Sequence, residues 1–413
     1  MSVQIFLLLA NHVLFCYSVL LDERTFMIYY IVWKPLEKLE NNMVAQELFH
    51  EIANNPFSYV ESWKNKTGGK VIGYFCSYVP EEIITAAGML PVRIFGQSDQ
   101  IEMASSYLQS YSCSFIKSAL EDGLSKKYDL LDGIIFPQTC DSIQRLSDIW
   151  RMNIKTPFHH DIILPAKLNS ESSINYIKEL LHVFVEAIEN FFGRKIDSED
   201  LKKSIHLSNV VKNTLKQLYE IRMSGDGLIR SKDISAIFKA SMVMDRESFT
   251  NLFLSYVKEL SEMVPEKSDP KRIMLAGGFC SISDFYQIIE ESGGLVVWDD
   301  FCTGARYFEG KISETEEPVS AIAQRFANRV VCPAKHMGLR TRGDYIIDRA
   351  LKTRSDGVIL VSLKFCDPHA FDIPYLRDML EKENIPHMVL ELEDSSSSVE
   401  QIRTRCEAFI EMI

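Results

Sequence analysis

The chain of 413 residues is 46% hydrophobic and 25% charged, which excludes a disordered or fibrous protein and leaves room for about two or three domains. A net charge of −12 argues against nucleic acid as the main partner, because such binders present a basic face. Nine cysteines without any C-x-x-C exclude a zinc ribbon, a thioredoxin motif and a ferredoxin-type run, and an odd count does not close a disulfide framework.

The first 34 residues hold two short apolar runs separated by Leu21-Asp22-Glu23-Arg24. Neither run reaches the roughly 20 residues of a spanning helix, and the first contains Asn11 and His12. There is no basic start and no small-residue cleavage site, so neither a membrane anchor nor a signal peptide is expected. Residues 1–42 read as an apolar extension, with an alternative start at Met43 and a helical opening after it.

Residues 43–165 read as a first α/β domain. A strand over 71–76 ends at Cys76, and Pro80-Glu81-Glu82 follows as a helix start with two carboxylates at its electropositive end. A second strand is expected at 91–96. A helix over 113–127 begins at Cys113, where the helix N-terminus favours a thiolate. A third strand then delivers Cys140, with a helix beyond it. From 166 to 268 the period is almost wholly helical, which predicts an insertion between two α/β domains, with Ser198 as one helix cap. Strand–helix alternation resumes in a second α/β domain over 269–413, with strands ending at Cys280, Cys302 and Cys366, another around Cys332, and a closing helix that carries Cys406.

Five cysteines (Cys76, Cys140, Cys280, Cys302 and Cys366) therefore end five predicted strands. The fold class is α/β, two Rossmann-like parallel-sheet lobes with a helical insertion between them. In such sheets the carboxyl ends of the strands are where ligands bind. Isolated thiols suit a reducing cytoplasm, although a free cysteine is also a small buried hydrophobe. Three chemistries use such a set: zinc bound by thiolates, an activated nucleophilic cysteine such as Cys366 beside His369, and an iron–sulfur cluster. Widely spaced ligands on separate elements suit the cluster best.

The segments GYFCSYVPEEIITAAGMLPVRI, YDLLDGIIFPQTCDSIQRLSDIW, DDFCTGARYF and LKFCDPHAFDIPYLRDMLEKENIPHMVLELE, with RTRCEAFIEM near the end, resemble the 2-hydroxyacyl-CoA dehydratase family, which includes the related benzoyl-CoA reductase subunits. The resemblance covers about residues 44–413 in order. It implies a [4Fe–4S] cluster held by three cysteines, a homologous second subunit, and a separate ATP-hydrolysing iron–sulfur activator that injects one electron. It implies an acyl-CoA substrate whose thioester becomes a ketyl radical anion, loses its hydroxyl group, and gives an enoyl-CoA as the electron returns. An ordinary acyl β-hydrogen is too weakly acidic for any side-chain base, so a cofactor has to supply the electron.

Carried over by position, Cys76, Cys113, Cys140 and Cys366 stand where the family has cysteines, four candidates for three ligand places. With only three bound, one iron keeps an open position for water or substrate oxygen. Cys280 and Cys302 are weaker candidates, and Cys332 and Cys406 read as structural. Glu82 is the candidate proton-transfer group, or else simply a favourable carboxylate at a helix N-terminus. His369 hydrogen-bonds near the cluster or caps the turn. Arg306 meets a CoA phosphate or pairs with Asp299 or Asp300. Two other readings remain open: an ATP-dependent reductase component of the benzoyl-CoA or small-molecule type, and a non-catalytic electron-relay paralogue.

Overall fold

Two all-parallel sheets of four strands each carry the structure, a computed structural model that describes residues 44–224, 229–263, 269–278, 285–329, 332–335, 337–393 and 399–413. The apolar extension over 1–42, Cys280 and the serines at 395–398 lie outside the described residues. In the first sheet β1 (Val71–Tyr74), β2 (Leu90–Arg93), β3 (Gly133–Pro137) and β4 (Phe158–Ile162) lie in the order β2-β1-β3-β4. In the second, β5 (Lys271–Gly277), β6 (Gly294–Asp300), β7 (Gly357–Leu363) and β8 (His387–Leu392) lie in the order β6-β5-β7-β8. The two orders are the same. Strands β1, β3, β6 and β7 are buried at every residue, as parallel strands covered on both faces must be.

Fifteen described helices surround them. Before and within the first lobe come α1 (Ala45–Asn54), α2 (Pro56–Thr67), α3 (Glu81–Ala86), α4 (Ser114–Leu124) and α5 (Asp141–Asn153). The helical block is α6 (Glu171–Phe192), α7 (Ser198–Met223), α8 (Ser231–Ser241) and α9 (Arg246–Glu262). The second lobe adds α10 (Phe285–Glu291), α11 (Ala305–Phe308), α12 (Pro318–Asn328), α13 (Thr341–Lys352), α14 (Asp367–Lys382) and α15 (Val399–Met412).

Chain reversals follow local chemistry. Asp197, not Ser198, caps α7, its carboxylate accepting from the Asp200 N–H at 2.8 Å. Asp245 and Ser170 cap α9 and α6 in the same way. The expected strand around Cys332 is not formed in the described residues: Cys332 has no regular structure, Pro333 and Ala334 lie in a turn, and residues 330–331 lie outside the description. Strands β1 and β2 also stop two or three residues short of the predicted ends, so Cys76 lies in the turn beyond β1.

The helical block joins the lobes. Helix α1 returns to α8, where Gln46 and His50 both reach Asp233 (2.9 and 2.6 Å). Helix α7 spans the molecule: Ser204 donates to the Glu82 carbonyl at 2.6 Å near one end, and Arg222 donates to the Val296 carbonyl at 2.6 Å near the other. Its 26 residues make a rod of about 39 Å.

Candidate functional site

Each sheet reverses its strand order beside its central strand, β1 against β3 and β5 against β7. The crevice at such a switch point is where open α/β sheets take ligands. Cys76 follows β1, and Cys140 follows β3 at the N-cap of α5. Cys366 follows β7 at the N-cap of α14, and Cys302 follows β6. Cys140 and Cys366 hold the same place in their lobes: each stands three residues past its strand and just before the aspartate that opens a helix.

The two sets of strand ends face one another. The Ser77 hydroxyl donates to the Cys302 carbonyl at 2.9 Å, and the Lys117 ammonium lies 5.7 Å from the centre of the Phe365 ring. Arg329 donates to the Ser77 carbonyl at 2.5 Å and to the Arg306 carbonyl at 2.7 Å, tying α12 to both lobes. Phe365 has φ 65°, a left-handed conformation that a bulky residue adopts only under constraint, and it immediately precedes Cys366.

Thiols from both lobes share this seam and act on one another electrostatically. Burial pushes the Cys140 thiol up to about 12, with Cys113, Cys76 and Cys332 adding to the effect. Burial likewise holds Cys366 well above its ordinary value, reinforced by Cys113, Cys140 and Cys332. Cys302 is pushed up to about 11 by burial, with Arg93 pulling the other way. The four leading sequence candidates, Cys76, Cys113, Cys140 and Cys366, thus lie within electrostatic reach along one seam, together with the weaker candidate Cys302 and with Cys332. Cys406 is elsewhere, buried in α15. The described cysteines are all free thiols.

For Cys113 the sequence expectation is reversed. It does occupy the N-cap of α4, and the Ile116 N–H lowers its pKa as expected, but burial outweighs this and raises it. Arg306 takes the ion-pair alternative: it is 1% exposed and forms a fork on Asp300 at 2.7 and 3.1 Å, rather than opening to a phosphate. Asp299 instead accepts from the Tyr286 hydroxyl at 2.6 Å and from the Tyr219 hydroxyl. His369 is buried, and burial together with Arg342 and Arg306 holds it neutral. Its backbone N–H donates to the Cys366 carbonyl at 3.1 Å, and its ring packs where a Cβ on Gly278 would come within 2.7 Å of Nε2. It therefore braces the ends of β5 and β7.

Glu82 lies in a buried pair. Its carboxylate accepts from Lys212 Nζ at 2.7 Å and from the Ser208 hydroxyl at 2.6 Å. Burial alone would raise its pKa, but Lys212, Arg325 and these bonds outweigh it and bring it down to about 2. A carboxylate so stabilised is a weak base while the pair stands. Its neighbour Glu81 is held by Arg246 and by the Tyr307 hydroxyl at 2.9 Å.

Apart from Arg306, sequence reasoning missed the cations of the seam. Asp300 serves both Arg306 and Arg342, whereas the buried Arg93, Arg329 and Lys335 have no carboxylate partner among the described residues. Lys335 donates to the Leu164 carbonyl at 3.0 Å; burial lowers its pKa, and the nearby Cys76, Cys332 and Cys140 raise it. Buried cations in excess of carboxylates are costly unless an anion completes them. No signal marked these residues in the sequence except the nearness of Arg329 and Lys335 to Cys332 along the chain.

Among the described residues no three His, Cys, Asp or Glu side chains converge as a ligand shell for a metal ion. The donor set nonetheless fits a thiolate-bound cluster. It offers free thiols from separate elements, a surplus of buried positive charge, and orphaned N–H groups on Arg93. A cluster of several irons spreads its ligands farther apart than one ion does. No described helix is long and apolar enough to cross a membrane.

The sequence matches the family described as "2-hydroxyglutaryl-CoA dehydratase, D-component" over residues 76–413. It is 28% identical to the (R)-phenyllactyl-CoA dehydratase beta subunit of Clostridium sporogenes, spanning 88% of this chain and 97% of that one. It is 28% identical to a benzoyl-CoA reductase subunit of Thauera aromatica (86% and 94%) and 23% identical to the (R)-2-hydroxyglutaryl-CoA dehydratase subunit beta of Acidaminococcus fermentans (89% and 98%). Several long motifs, matched strand ends and near-complete coverage agree, and the chain belongs to the 2-hydroxyglutaryl-CoA dehydratase D-component family.

Proposed function

We propose that the chain is the iron–sulfur subunit of a 2-hydroxyacyl-CoA dehydratase, a hydro-lyase that converts a 2-hydroxyacyl-CoA into a 2-enoyl-CoA. The observation that carries the reading is the gathering of free thiols from both lobes among buried cations that lack carboxylates. Cys76, Cys113, Cys140 and Cys366 would hold a [4Fe–4S] cluster, with three of them sufficient. When bound, the cluster supplies the one-electron chemistry that side-chain acids and bases lack. Lys335 and Arg93 balance its negative charge, and His369 fixes the turn that carries Cys366. Relatives named as beta subunits support a homologous partner subunit, and an ATP-dependent activator is proposed as the electron source. Burial of the thiols suits a reducing cytoplasm.

Benzoyl-CoA-type reduction is the second reading, favoured by equal identity to the Thauera aromatica benzoyl-CoA reductase subunit and to the phenyllactyl-CoA dehydratase subunit. Electron stoichiometry separates the two, since dehydration recycles its electron and reduction consumes reducing equivalents at every turnover.

Iron and acid-labile sulfide are to be measured after anaerobic purification, in wild type and in Cys366→Ala. About four of each per chain is expected in wild type, falling to less than half in the variant. A wild-type chain that stays iron-free after reconstitution would sink the cluster and leave thiol chemistry at Cys366 as the better reading.

A further inference from the structure

The buried arginines of this chain sort by what their side chains bind. Arg306, Arg342 and Arg246 have carboxylates in Asp300, Asp372 and Glu81. Arg222, Arg325 and Arg329 bind backbone carbonyls. Arg93 does neither. It is the last residue of β2 and 2% exposed. Its guanidinium lies 5.6 Å from the Tyr74 ring centre, and among the described residues Nη2 reaches only the Cys302 sulfur, at 3.9 Å. Nε and Nη1 have no acceptor among the described residues. A neutral thiol is a weak acceptor, so this is a cation taken out of water with its strongest donors unused.

Its position is nonetheless fixed. The Arg93 backbone N–H donates to the Met242 carbonyl at 2.9 Å. Cys302, which the guanidinium faces, is held by Ser77 at its carbonyl (2.9 Å) and by the Gly278 carbonyl at its N–H (3.3 Å). The strand end and the facing turn thus aim an uncompensated cation at the thiol seam. We propose that Arg93 is a positioning residue for the anionic iron–sulfur group of that seam, donating its free N–H groups to the group's sulfur atoms and favouring the reduced state. This rests on the function proposed above. Positive charge and hydrogen bonds to sulfur raise a cluster's reduction potential, and a planar fork supplies both at once.

The test compares wild type, Arg93→Met and Arg93→Lys after anaerobic reconstitution, reading iron content, the electron paramagnetic resonance signal of the reduced protein and the midpoint potential. Arg93→Met is expected to keep its iron and move the midpoint to more negative potential, with Arg93→Lys between it and wild type. Arg349→Met is the control: it removes a cation that lies 4.7 Å over the Trp298 ring and pairs with Glu309, and it should leave the potential unchanged. If Arg93→Met does not fold, Arg93→Gln drops the charge while keeping an amide donor and is read in the same way. A variant with full iron and the wild-type potential overturns the inference. A wild-type chain that takes up no iron instead overturns the function itself, and this proposal falls with it.

Discussion

At the scale of single residues, Glu82 gives the clearest energetic statement. Its folded pKa is about 2 against an ordinary 4.5, so the folded state holds its proton less tightly than the unfolded chain does. The stability this contributes is fully present above about pH 4.5 and is lost as pH falls towards 2. Glu82→Gln should remove most of that acid-side dependence and leave Lys212 buried without a counter-charge, costing about 3 kcal/mol at neutral pH. Denaturant unfolding of both proteins from pH 3 to 7 checks this; parallel curves would refute it. The acidic pair at the start of α3 is plain in the sequence, and so is its place at a helix N-terminus. Its partners are not, because Ser208 and Lys212 lie more than a hundred residues away along the chain. Cys113 teaches the same lesson with the opposite sign. A helix N-terminus is local and legible, whereas the burial that outweighs it depends on what packs over the thiol.

At the scale of elements, α7 fastens one lobe to the other through few, fully buried groups. Arg222 donates to the carbonyls of Val296 (2.6 Å) and Ile229 (2.7 Å) and to the Ser231 hydroxyl (2.8 Å). Arg222→Ala strands these acceptors and is expected to cost about 3 kcal/mol, read from the shift in urea midpoint at constant slope. A loss below about 1 kcal/mol would mean that water replaces the guanidinium there. Elements were legible where their period was strong: the apolar runs ending near Cys140 and Cys366 became β3 and β7. Strand β4 was not, because it runs along a sheet edge and places His159, His160 and Asp161 where an apolar run would have announced it. The α7 cap was misread by one residue because Asp197 and Ser198 are both good caps and only the path of the chain decides between them.

At the scale of the whole molecule, fold class was the most legible property, since parallel strands buried on both faces write themselves as apolar runs. The shared organisation of the two halves hinted that the lobes face a common cleft, but the contacts that fix this facing, such as Ser77 with Cys302 and Arg329 with Ser77, were not legible because they join residues distant along the chain. One consequence can be measured. Trp150 lies in the core of the first lobe and Trp298 on β6 of the second, and α7 ties the lobes together. Variants that keep one or the other as the sole tryptophan should give coincident unfolding midpoints; transitions separated beyond error would mean that the lobes unfold independently. The same rod also limits motion. Hinge closure needs a few element-terminal residues to absorb a rotation, but α7 has no glycine or proline along its length and is fastened near both ends. The two sheets therefore do not swing apart like jaws without breaking those fastenings. Traffic into the seam is left to side chains and short loops, which move on faster timescales than whole lobes.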